Sequence, residues 1–132
     1  MRSLKTLGQM LVTGTCIFAI VLLTGQSSSA RPQYQKAMGV AYPDLVKKHG
    51  TNGKLSCSVC HPTKKKKDRN NYGAAFGKAV GKKNEKDAAK LKEVLKKIEK
   101  EKSKTEGKTF GDLIKEGKLP GTKDVAPPPK KD

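Results

Sequence analysis

Residues 57–61 read Cys57-Ser58-Val59-Cys60-His61, with the turn-rich stretch GTNGKLS (50–56) in front and Pro62 behind. Two thiols three positions apart, with an imidazole directly after the second, fit a single helical turn that Pro62 stops. Cys57 and Cys60 are the only cysteines beyond Cys16, and His49 is the only other histidine in the chain. The reactive side chains are therefore concentrated in one short segment, and its surroundings decide what that segment does.

On both sides of the segment the pattern is helical. Upstream, RPQYQKAMGVAYPDLVKKH (31–49) places Tyr34, Ala37, Met38, Ala41, Tyr42 and Leu45 along one face, which predicts one helix or two divided near Pro43. Pro32 suits a first helical turn. Downstream, the lysines at 64–67 make a solvated loop. A helix follows over roughly 72–81, with Ala75, Phe76, Ala79 and Val80 apolar. Gly73 and Gly77 on that helix would let another surface come close. Asn84 with Asp87 resembles a helix start. Ala88, Leu91, Val94, Leu95 and Ile98 then form one buried face of a helix over about 85–101. A short last helix begins at Thr109, has Asp112 in its first turn, and ends at Gly117. No repeat and no strand-like alternation interrupts this, so the expected fold is all-α. The domain is expected over 31–117, and the Pro- and Lys-rich stretch 118–132 is expected to be an extended or disordered tail.

The chain has 132 residues, 34% hydrophobic and 5% aromatic, with no Trp. A domain this small and this poor in apolar mass needs a staple such as a disulfide, a metal or a cofactor. Residues 1–30 read as a secretory signal: Arg2 and Lys5, an apolar stretch over 10–23, then Ser28 and Ala30 as small residues before cleavage near Ala30. That stretch is too short and broken to predict a membrane span. Loss of Arg2 and Lys5 takes the 29 basic residues to 27 against 12 acidic ones, a formal charge of +15. Such a field draws anionic partners: acidic redox proteins, an anionic membrane surface or envelope polymers. The predicted location, periplasmic or exported, sets nucleic acid aside.

C-x-x-C-H is the signature of covalent c-type haem attachment. One turn presents two thiols to the two vinyl groups of the porphyrin, and the adjacent imidazole supplies the proximal ligand to iron. One haem c is expected, bound through Cys57 and Cys60 and ligated by His61. Two other chemistries compete. A zinc site could draw on Cys57, Cys60, His61 and His49, although adjacent Cys60 and His61 make a poor tetrahedral chelate. A thioredoxin-like pair needs a βαβ setting that the pattern lacks.

The stretch CSVCH followed by RNNYGAAFGKAV resembles small exported bacterial cytochromes, in which the haem motif precedes an Asn-x-Phe/Tyr-Gly segment, here Asn70, Asn71, Tyr72 and Gly73. The likeness spans about residues 34–81. It implies a cytochrome c-like helical domain around one haem, an envelope location and electron transfer. It also implies Cys57 and Cys60 as thioether sites and His61 as proximal ligand. The departure is at the sixth iron ligand, for no methionine follows the motif. His49, eight residues before Cys57, is the first candidate and Met38 the second. The expected function is that of a monomeric one-electron carrier rather than an enzyme. The alternatives are a gas sensor or peroxidase-like protein with an open distal site, and a haem-free polycation that binds the envelope. Aromatic residues Tyr34, Tyr42, Tyr72 and Phe76 are candidates for the cavity wall.

Overall fold

The computed structural model describes residues 31–127; the expected export signal at 1–30 lies outside them, as do residues 128–132. Among the described residues the fold is all-α, with two isolated β-bridges, Thr51 with Lys54 and Lys102 with Thr109, and no strand. No helix of the described residues is long and apolar enough to cross a membrane.

The upstream segment forms two helices, α1 (Pro32–Ala41) and α2 (Pro43–His49). Each begins with proline in its first turn, where the missing N–H costs nothing. Pro43 also drives Tyr42 out of helical geometry, to φ −130° and ψ 64°, which divides the two. After a 3₁₀ turn at Cys57–Val59 comes α3 (Asn71–Val80), capped by Asn70, whose side chain accepts from the Gly73 amide.

Helix α4 (Ala88–Glu99) begins later than its periodicity suggests. Asn84 adopts a left-handed φ of 62°, and the cap is Asp87, which accepts from the amides of Ala89 and Lys90. Ala88 is exposed, so the buried face reduces to Leu91, Leu95 and Ile98, with Val94 at its edge. Helix α5 (Phe110–Lys115) starts as expected at Thr109, with a reciprocal capping box to Asp112. Gly117 follows at φ 68°, a left-handed turn that suits glycine.

Helix α4 is the hub, packing against α1, α3 and α5. Leu91, Leu95 and Ile98 meet Tyr72, Leu45 and Phe110 in one cluster, with the Tyr72 and Phe110 rings edge to face at 5.1 Å. The Tyr42 hydroxyl donates to Glu99 Oε1 at 2.9 Å and ties the α1–α2 junction to the end of α4.

The stretch after α5 differs from a loose tail as far as residue 127. Pro120 is fully buried, Thr122 exchanges hydrogen bonds with Asn70 and Asn71, and the Ala126 amide donates to the Arg69 carbonyl at 2.7 Å. A Pro- and Lys-rich composition looks loose because its partners lie some fifty residues away (|i−j| of 52 and 51) and leave no local pattern.

Leu95 is completely buried, whereas Val40 is 73% exposed. Leu95→Ala is expected to destabilise the domain by about 2–5 kcal/mol in denaturant unfolding. Val40→Ala should stay within about 0.5 kcal/mol of the parent.

Candidate functional site

The turn that carries the two cysteines is fixed from several sides. Its own backbone closes it, the amides of Cys60 and His61 both donating to the Cys57 carbonyl, at 3.2 and 2.9 Å. Leu55 and Val59 anchor it in the core, and the Gln35 side chain on α1 donates to the Leu55 carbonyl. On the far side Asn70 takes hold: its backbone amide donates to the Cys60 carbonyl at 3.0 Å, and its side-chain Nδ2 donates to the Val59 carbonyl at 2.9 Å.

The two glycines of α3 have separate tasks. A side chain at Gly73 would run into the Cys60 carbonyl, so its absence brings the helix against the cysteine turn. A side chain at Gly77 would meet the guanidinium of Arg69, which lies in that notch.

Cys57, Cys60 and His61 line a cavity of about 880 Å³ between the turn, α1 and α3, a volume within the range of about 300–1,000 Å³ usual for cofactor and small-molecule sites. Its apolar wall includes Tyr34 and Met38 on α1 and Phe76 and Val80 on α3. Tyr34 and Phe76 stand edge to face at 5.3 Å. Tyr42 and Tyr72, the other two aromatic candidates, sit in the core instead. Burial pushes both of their phenols above the ordinary value. The charged lining is of one sign: Arg31, Lys64, Lys66, Arg69, Lys82 and Lys83, with no Asp or Glu.

His61 is half-buried, and its Nδ1 lies 2.9 Å from the Asp68 carbonyl. A carbonyl only accepts, so Nδ1 carries the proton, and in the neutral ring Nε2 keeps its lone pair. Asp68 is brought there by a closed loop. Its amide donates to the Lys65 carbonyl at 3.0 Å, and its carboxylate accepts from the Thr63 hydroxyl at 2.8 Å. Cys57 is exposed and Cys60 half-buried, both as free thiols. Burial pushes the Cys60 thiol up to about 12, partly offset by Arg69, so it is held as a thiol rather than an activated thiolate.

The two candidates for a sixth ligand part company here. Met38 is 5% exposed and lines the same cavity as His61. His49 is exposed, lies off the cavity wall, and donates from Nε2 to the Gly117 carbonyl at 2.8 Å. It stitches the end of α2 to the turn after α5. The four-residue zinc arrangement is therefore not assembled, and among the described residues no three His, Cys, Asp or Glu side chains converge as a metal cage.

The sequence pattern singled out Cys57, Cys60, His61 and Met38, but not Gln35, Asp68 or Arg69. Asp68 acts through its backbone carbonyl, which every residue has, and so carries no sequence signal. Arg69 could have been suspected from Gly77, whose missing side chain makes room for it.

Gly73→Ala drives a methyl group into rigid backbone and is expected to cost about 1–3 kcal/mol in denaturant unfolding. Gly77→Ala meets only the end of a flexible side chain, and the helix gain of about 1 kcal/mol should leave it near neutral. Equal losses at the two positions would contradict the separate tasks given to them. The chain matches no known family, no curated protein and no solved structure.

Proposed function

We propose that this chain is an exported monohaem c-type cytochrome that carries single electrons and turns over no substrate of its own. The observation that carries the reading is the placement of Cys57, Cys60 and His61 together on the wall of one apolar cavity, with His61 Nδ1 committed to the Asp68 carbonyl. Metal-bound histidines characteristically donate their second ring nitrogen in this way, which fixes the ring and leaves the other nitrogen for the metal.

The residues present fit the group. Cys57 and Cys60 would hold the haem as thioethers, each thiol giving its sulfur to one carbon of a vinyl group and its proton to the other, an addition that needs no oxidant. The apolar wall would pack against the macrocycle and limit its contact with water, and a lining with six basic residues and no acid suits a ligand that bears carboxylates. When bound, the haem supplies an iron that alternates between ferric and ferrous states. His61, with its ring fixed by the Asp68 carbonyl, would hold that iron against the apolar wall, and a fixed ligand would favour little rearrangement on electron transfer.

The same basic lining supports docking to an acidic redox protein. Lys64, Lys66, Lys82 and Lys83 are exposed around the cavity, and a formal charge of +15 after loss of residues 1–30 would steer such a partner toward them. Association should weaken as salt is raised.

Expression with its export signal and with cytochrome-maturation machinery tests the reading. The expected product keeps its haem on a denaturing gel and gives a c-type pyridine haemochrome of one haem per chain. Redox titration should follow a one-electron slope of about 59 mV per decade. Replacing both Cys57 and Cys60 with alanine should abolish haem on the gel. A colourless product from competent machinery would sink the proposal.

A further inference from the structure

Resting on the haem reading above, we infer that Met38 supplies the sixth ligand to the iron, from a helix that precedes the attachment turn in the chain. Helix α1 turns Tyr34, Gln35 and Met38 toward the cavity, at the i, i+1, i+4 spacing of a single helical face, and its N-cap Arg31 lines the same cavity. Of these, Gln35 is committed to the Leu55 carbonyl. The phenol oxygen of Tyr34 accepts from the Glu85 amide at 3.1 Å. Met38 has no such engagement to give up: its thioether is a neutral, soft donor that needs no proton removed.

The other lone-pair donors on the cavity wall are poorer. Lys64, Lys66, Lys82 and Lys83 are exposed, and an ammonium has no lone pair until it is deprotonated. Lys64 and Lys66 also lie within the loop that the His61–Asp68 hydrogen bond closes on the proximal ligand. His49, the one remaining imidazole, is away from the cavity on the Gly117 carbonyl. Met38 is the only methionine of the described residues, and it is buried against the cavity by the packing of α1 on α4.

A buried methionine on an apolar helical face can serve packing alone, so the test separates packing from ligation. Leucine keeps the volume and the apolar contact but has no donor atom. Wild-type ferric protein loaded with haem should show the weak long-wavelength band of an iron–thioether bond, and the ferrous protein a strongly upfield methionine methyl resonance. Met38→Leu should keep covalent haem and a similar unfolding midpoint, lose both signals, lower the reduction potential and bind carbon monoxide readily when reduced. Met38→His, which restores a strong donor, should return a six-coordinate low-spin spectrum and suppress carbon monoxide binding.

Haem-loaded wild type without either methionine signal, or a Met38→Leu spectrum and potential identical to wild type, overturns the assignment and leaves the haem reading standing. Should Met38→Leu fail to fold, the wild-type resonance decides alone. Wild type without covalent haem overturns both.

Discussion

A primary amide taken out of water needs a partner for each donor and for its acceptor, or the burial works against the fold. Asn70, at 1% exposure, meets that demand by joining three pieces of chain at one point. Its Nδ2 donates to Val59 in the cysteine turn and to Thr122 in the C-terminal stretch, and its Oδ1 accepts from Gly73 at the head of α3. Its backbone amide adds the Cys60 carbonyl. Gly121 has no side chain because one would collide with this same amide. The orientation of the cysteine turn, the start of α3 and the course of the chain after α5 all follow from satisfying one buried side chain.

Around that point the buried apolar residues form one cluster. Leu91, Leu95 and Ile98 of α4 gather Leu45, Tyr72 and Phe110 into a small core. Met38, Leu55, Val59 and Phe76 belong at once to this core and to the wall of the cavity. The cavity is thus the unfinished face of the core. For a domain so short of hydrophobic residues, a flat apolar cofactor held there would extend the packing that the chain cannot supply itself. The proposed haem would be a structural member as much as a redox one.

Much of the helical order was legible because the chain punctuates itself locally. Pro43 divides α1 from α2, Thr109 with Asp112 starts α5, and Gly117 ends it, each through a mechanism confined to one turn. The start of α4 was misread because Asn84 and Asp87 both resemble caps, and only the left-handed backbone at Asn84 separates them. The docking of residues 118–127 left no trace in composition, since it depends on the backbone groups of Thr122 and Ala126 finding partners at residues 69–71. At the site, the spacing of Cys57, Cys60 and His61 was plain, whereas the ranking of His49 over Met38 rested on side-chain type. Tertiary placement separates the two in a way that side-chain type does not: Met38 is on the cavity wall and His49 faces a carbonyl elsewhere.

The bond from Asn70 to Thr122 spans 52 positions and reaches into the stretch after α5. A polypeptide that emerges from synthesis N-terminus first therefore presents its cysteine turn before the partner that completes its anchoring has arrived. Until residue 122 is free to pack, Asn70 lacks one acceptor and the turn is held by fewer bonds than in the finished fold. The order of emergence thus leaves an interval in which the cysteine turn is held less firmly than in the finished fold, and arrival of the stretch after α5 ends it. Chain direction, with no added device, gives this fold a sequence of steps in time.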